Sequence, residues 1–216
     1  MLPHIAWRLE AMMATIADQR PPAARPIEQA LRKVPRHWFV PPAGLVLHDD
    51  DSGTPIDRDL DPPAWWDAVY SGKPIVTRFD EGIGGTRYSC VNPAPALVVD
   101  LLELLDPRPG QRVLEVGTGS GWLTALLCRL VGESGSVTSI EEDAQVAERA
   151  RRDLAAAGVR PHLIVGGGRR GCPERGPYDR VLALATVPDS WVSQARPGAV
   201  IVGGWDRAAR LVVAPD

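Results

Sequence analysis

The chain has 216 residues, enough for one domain with an extension and for a sizeable buried core. Its apolar fraction of 44% and charged fraction of 24% are those of an ordinary globular protein, not of a disordered or fibrous chain. A net charge of −3 with a pI near 5.8 gives no electrostatic reason to expect a nucleic-acid partner, and no apolar run reaches membrane-spanning length.

The opening stretch, MLPHIAWRLEAMMATIADQR, lacks a basic region followed by an apolar core, so a signal peptide is not expected. Three cysteines, Cys90, Cys128 and Cys172, are far apart and without C-x-x-C spacing, which fits reduced thiols and a cytoplasmic protein. Residues 5–18 and 26–33 have helical patterns, separated by the breaker RPPAARP. The proline-bracketed VPRHWFVPP reads as extended. His48 to Asp61, HDDDSGTPIDRDLD, reads as an acidic, solvated loop; a hard-cation site is the other reading, but the spacing is not that of a calcium loop. Trp65 and Trp66 read as buried aromatic anchors or as a ligand-stacking pair. NPAPALVVDLLELLD predicts a helix capped by Asn92 with Pro93 at its first position.

From Pro109 the pattern becomes regular. Strand-like runs fall at 112–116, 136–140, 162–165, 179–185, 199–204 and 210–214, with helical patterns at 120–131, 143–157 and 188–195. The alternation implies βαβ units and a mainly parallel sheet covered on both faces. The last two runs are joined only by DRAA, too short for a parallel crossover, so the sheet is expected to end in an antiparallel hairpin.

The chemistry begins at LEVGTGSGW. Gly117, Gly119 and Gly121 make G-x-G-x-G, with Thr118 and Ser120 between them and Trp122 where a dinucleotide fingerprint wants its third glycine. Glycines here let the backbone turn sharply and approach a ligand closely. Glu115, at the end of the first core strand, suits the ammonium group of the methionine part of S-adenosylmethionine. Glu141, closing the second strand, suits two ribose hydroxyls, with Glu142 beside it. Both carboxylates stand at the C-terminal ends of adjacent strands, where open α/β sheets bind ligands. A dinucleotide site and a ligand-free turn are the weaker readings of the same motif. The histidines show no metal-ligand spacing, and no nucleophilic triad stands out.

VLEVGTGSGWLTALLCRLVG followed by SVTSIEED, with VPRHWFVP upstream, resembles the protein-L-isoaspartate O-methyltransferase family. DPPAWWDAVYSGKPIVT, SCVNPAPALVVDLLELL and PYDRVLALATVPDSWVSQARPG are similar to a subgroup, the protein aspartate methyltransferases of graspetide (ATP-grasp) and lanthipeptide gene clusters. The resemblance covers most of residues 31–205. It implies a Rossmann-like class I methyltransferase fold, with an N-terminal helical and extended extension over 1–108 and a cofactor-binding core over 109–216.

The same resemblance implies S-adenosylmethionine as cofactor and methyl transfer to a carboxylate oxygen. An aspartate is already ionised at neutral pH, with a reference pKa of about 3.9, so no general base is needed. The family's active-site hydroxyl falls on Val91 here; Ser89, with Thr86 behind it, is the nearest substitute and the expected acceptor-side residue. Where the family carries an Asp for the adenine amino group, this chain has Gly167. The expected activity is esterification of an aspartate in a ribosomally made precursor peptide, linear or cyclised, leading to aspartimide and isoaspartate. The alternatives are a general isoaspartyl repair methyltransferase and a peptide-binding protein without catalysis. The chain stops at Asp216, so peptide recognition is expected to rest on the N-terminal segment.

Overall fold

The computed structural model describes residues 3–50, 52–82, 85–204 and 208–214, with side chains omitted at 3, 4, 80–82 and 85–87. The chain divides into two compact units, Met1–Val99 and Asp100–Asp216.

In the first unit, α1 (Pro3–Gln19) buries Ile5, Leu9, Met12 and Ile16, one stripe of an amphipathic helix. α2 (Arg25–Lys33) starts with Pro26 in its first turn and buries Ile27, Ala30 and Leu31. The segment expected to be extended instead folds into a 3-10 turn at Arg36–Phe39. The cause is the Arg36 side chain, which turns inward and is wholly buried. Its guanidinium donates to Asn92 Oδ1 at 2.8 Å and to the carbonyls of Val69, Lys73 and Pro93 at 3.0, 2.9 and 2.8 Å.

A four-stranded antiparallel sheet of order β2-β1-β3-β4 follows, formed by β1 (Ala43–Leu47), β2 (Gly53–Asp57), β3 (Ile75–Gly82) and β4 (Gly85–Asn92). Part of the segment read as a loop is therefore strand. β2 pairs residue by residue with β1, from Ala43↔Asp57 to Leu47↔Gly53. It is an edge strand, where Pro55 withholds no needed donor, and only Ile56 is buried, so it shows no hydrophobic alternation. α3 (Pro62–Val69) is capped by Asp61, whose carboxylate accepts from Ala64 N at 3.0 Å. Trp65 is a buried anchor, its indole N–H donating to Pro41 O at 2.9 Å. Trp66 is half-buried, 4.9 Å from the His37 ring and stacked on Tyr70.

Asn92 does not cap a helix. It ends β4, and its amide oxygen is occupied by Arg36, so α4 begins two residues after Pro93, at Pro95–Leu105. The division between the units falls within α4.

The second unit is a six-stranded sheet of order β10-β9-β8-β5-β6-β7. Its strands are β5 (Arg112–Val116), β6 (Ser136–Glu141), β7 (His162–Val165), β8 (Tyr178–Ala183), β9 (Ala195–Gly203) and β10 (Ala209–Val212). β5 to β9 run parallel, and β10 returns antiparallel to β9, from Ala209↔Gly203 to Val212↔Val200. The sheet is thus mainly parallel and ends in the expected hairpin. α5 (Trp122–Val131) and α6 (Ala144–Ala156) fill the first two crossovers. The last helix, α7, is only Asp189–Val192; residues 195 onward have joined β9, where Tyr178↔Ala195 and Arg180↔Val200 flank a bulge that absorbs Pro197 and Gly198. The strand order reverses between β5 and β8, the switch point at which such sheets open a crevice at their carboxyl ends. The three cysteines are free thiols, and among the described residues no helix is long and apolar enough to cross a membrane.

Candidate functional site

β5 ends in Glu115 and Val116, and the chain then makes the glycine turn. Gly117, Gly119 and Gly121 all have positive φ, at 96°, 55° and 86°, backbone conformations that side chains disfavour. A Cβ built on Gly117 meets nothing within 4 Å, so the turn opens onto free space there. Gly117 N and Thr118 N both donate to Ile140 O, tying the turn to β6. Gly121 is the left-handed N-cap of α5.

Glu115 and Ser139 are register partners on β5 and β6, so their side chains leave the sheet on the same face. Glu115 is wholly interior, 2% exposed. Its Oε2 accepts from Thr124 Oγ1 at 2.5 Å and from Ser139 Oγ at 2.6 Å, and Ser139 Oγ lies 2.6 Å from Thr118 Oγ1. Oε1 is buried with no hydrogen-bond partner among the described residues. Burial pushes the Glu115 carboxyl up to about 7; the two hydroxyls pull it down and the charge of Glu141 pushes it up again.

Glu141 ends β6. Gly119 N donates to its Oε2 at 2.9 Å and Asp143 N to its Oε1 at 3.1 Å. Each oxygen keeps a lone pair, so this carboxylate can accept two further hydroxyls. Asp143 caps α6 through Gln145 N and Val146 N. Glu142 is exposed; Thr118 and Ser120 are buried at the turn, and the Trp122 indole is wholly buried at the start of α5. Glu115, Thr118, Gly119 and Glu141 are thus joined in one bonded cluster.

Gly166 N donates to Glu141 O at 2.8 Å, bringing the loop after β7 to the same sheet end. Gly167 faces open space, and its φ of −67° and ψ of 128° suit any residue. The rest of the loop is clamped. Trp191 Nε1 donates to Gly168 O at 2.9 Å, Ser190 Oγ to Arg169 O, and Gln194 Nε2 to Arg170 O at 2.8 Å, while Gln194 Oε1 accepts from Cys172 N. A Cβ at Gly168 would sit 2.1 Å from Val116 Cγ1, so the loop lies directly on the end of β5.

The acceptor-side candidates lie in the first unit. Ser89 is exposed on β4; Phe79 pairs with Tyr88 and Arg78 with Cys90, which leaves Ser89 as the unpaired residue of a β-bulge. Val91 pairs with Val76. The Thr86 backbone pairs with Glu81 in β4, but its side chain lies outside the described residues.

Sequence reasoning missed Thr124, Ser139 and the Trp191–Gln194 clamp. A signal for the first two was present: each is a hydroxyl beside apolar residues in a stretch that reads as mostly interior, WLTALL or VTSI, where a polar side chain needs a partner.

The sequence pattern of the protein-L-isoaspartate(D-aspartate) O-methyltransferase family matches residues 69–207. The chain is 33% identical over 195 residues to protein-L-isoaspartate O-methyltransferase 2 of Archaeoglobus fulgidus, covering 88% of this chain and 75% of that one. It is 34% identical over 184 residues to the Aeropyrum pernix protein-L-isoaspartate O-methyltransferase, covering 83% and 59%. A solved protein-L-isoaspartate O-methyltransferase superposes with a TM-score of 0.68 at 26% identity, over 90% of this chain and 54% of that one. The chain therefore spans between about half and three quarters of the length of these relatives. It belongs to the protein-L-isoaspartate(D-aspartate) O-methyltransferase family, with that family's Rossmann-like methyltransferase fold.

Proposed function

We propose that this chain is an S-adenosylmethionine-dependent O-methyltransferase that esterifies a peptide or protein carboxylate, an isoaspartyl side chain being the first substrate class to consider. The observation that carries the cofactor assignment is Glu115, a buried carboxylate with one unpartnered oxygen directly before a glycine turn. A pyrophosphate on that turn would be repelled by it; an ammonium group is what it needs.

In this reading Glu115 receives the ammonium group and Glu141 the ribose hydroxyls. The backbone of Gly117, Thr118, Gly119, Ser120 and Gly121 lines the ligand, Trp122 supports the turn from the interior, and Glu142 and Gly167 border the adenine. The cofactor supplies an activated methyl group on a sulfonium. The substrate carboxylate is ionised at neutral pH, so the chain needs no base and has only to hold an oxygen in line with that methyl. Ser89, with Thr86, is the hydroxyl assigned to orient the carboxylate. The free thiols fit action in the cytoplasm.

The names of the curated relatives favour isoaspartate over the aspartate of a graspetide- or lanthipeptide-type precursor. The second reading stays because Val91, paired with Val76 in the sheet, falls by resemblance where the family has a hydroxyl, and Ser89 lies at a bulge. The test offers S-adenosylmethionine with an isoaspartyl peptide and with an aspartyl precursor, linear and cyclised, and follows intact mass. Gain of one methyl on the isoaspartyl peptide alone supports the first reading. Gain on the precursor followed by loss of methanol supports the second. Cofactor binding without methylation of any of them leaves a peptide-binding protein.

A further inference from the structure

The hydrogen bonds around Glu115 have a fixed direction. The contacts of Thr124 and Ser139 with Oε2, 2.5 and 2.6 Å, have the length of hydroxyl donors on an ionised carboxylate. Each hydroxyl has one proton to give. Ser139 gives its proton to Glu115, so the 2.6 Å contact between Ser139 and Thr118 is made with the proton of Thr118. The order is Thr118 to Ser139 to Glu115, with Thr124 converging on the same oxygen. All three hydroxyl residues are buried, Thr124 and Ser139 completely.

Two donors on one oxygen and none on the other is an uneven arrangement for a buried carboxylate, since an unpaired buried acceptor lacks the compensation that burial demands. Among the described residues, the charged group acting on Glu115 is Glu141 from β6, and Glu115 in turn helps burial push the Cys128 thiol of α5 up to about 12. Neither is a cation.

We propose that Ser139 and Thr124 are positioning residues of the cofactor site, saturating one oxygen of Glu115 so that the other is kept for a ligand ammonium group, and that Thr118 ties this arrangement to the glycine turn. This rests on the cofactor reading above and adds to it the residues that make the site selective for a primary ammonium. Without either hydroxyl the carboxylate rotates to share its remaining donor and loses part of its hold on the charged form.

The test compares S-adenosylhomocysteine with 5′-methylthioadenosine, the same nucleoside thioether without the amino-acid end, by calorimetry at pH 8. The wild type is expected to prefer S-adenosylhomocysteine by at least about ten-fold. In Ser139→Ala and, separately, Thr124→Val, S-adenosylhomocysteine weakens about ten-fold while methylthioadenosine stays within about two-fold; Ser139→Thr restores the preference. The pH midpoint below which S-adenosylhomocysteine affinity falls, near 7 in the wild type, moves upward in both variants, because a donor that favoured the ionised carboxyl is gone. Thermal melts confirm that each variant is folded. Equal weakening of both ligands, or an unchanged preference and midpoint in both variants, overturns the inference alone. Failure of the wild type to bind either ligand overturns the cofactor reading and the inference with it.

Discussion

Among the described residues, each unit buries one charged side chain almost completely, Arg36 or Glu115, and the two are treated differently. In the first, the Arg36 guanidinium is surrounded by acceptors: the Asn92 amide oxygen and the carbonyls of Val69, Ser71, Lys73, Asn92 and Pro93. In the second, Glu115 has two donors crowded on Oε2 and an empty Oε1. A buried charge ringed by partners joins chain segments, here the 3-10 turn, the end of α3 and the end of β4. A buried charge with an open oxygen joins less than it can, and it is on that incompleteness that the proposed ligand site rests.

The comparison can be broken most severely at Arg36. Arg36→Ala leaves at least six acceptor contacts unmade in the interior and is expected to cost about 3–5 kcal/mol, read as a lower urea midpoint. An unchanged midpoint would remove Arg36 as an architectural residue.

At Glu115 the expectation has the opposite sign. Its folded pKa, about 7, lies above the model carboxylate value of 4.5. The folded state therefore binds a proton between those values that the unfolded chain has released. Stability from this group is intact below about 4.5 and declines as pH rises through 7. Glu115→Gln, which cannot ionise, should gain about 2–3 kcal/mol on the wild type between pH 5 and pH 8, measured as the difference in unfolding free energy at the two pH values. A constant difference across that range would mean that Glu115 is not the buried carboxyl described.

Gln194→Ala sharpens the account of the loop after β7. It removes the donor to Arg170 O and the acceptor of Cys172 N, for an expected loss of about 1–2 kcal/mol, seen as faster amide exchange over residues 168–172. Gly167→Asp has the smallest expected effect. The position has room and an ordinary backbone conformation, so a carboxylate placed there should tighten S-adenosylhomocysteine by about 1 kcal/mol without loss of thermal stability. Weaker binding would show that Gly167 does not border the adenine.

How much of this was legible depended on the kind of signal each residue leaves. β5, β6, β8 and the second half of β9 are buried in succession and leave apolar runs in the sequence, so the core strands were predicted within a few residues. β2 carries Pro55 and one buried residue, and β3 and β4 mix charges with apolar positions; such strands are defined by their pairing, which sequence periodicity does not record. Glu115 and Glu141 could be named because each closes a strand beside a glycine turn. Arg36 could not, since nothing local distinguishes an arginine that turns inward from one that faces water. Ser139 and Thr124 were visible as hydroxyls beside apolar residues in interior stretches, but their meaning required the register that sets Ser139 beside Glu115.

The central claim is that Glu115 is kept incomplete for a cationic ligand. The most direct measurement is calorimetric titration of S-adenosylhomocysteine at pH 8 into the wild type and into Glu115→Gln. The account predicts measurable binding by the wild type and a loss of about 100-fold or more in the variant, which stays folded and at least as stable. Equal affinity in the two proteins would contradict it.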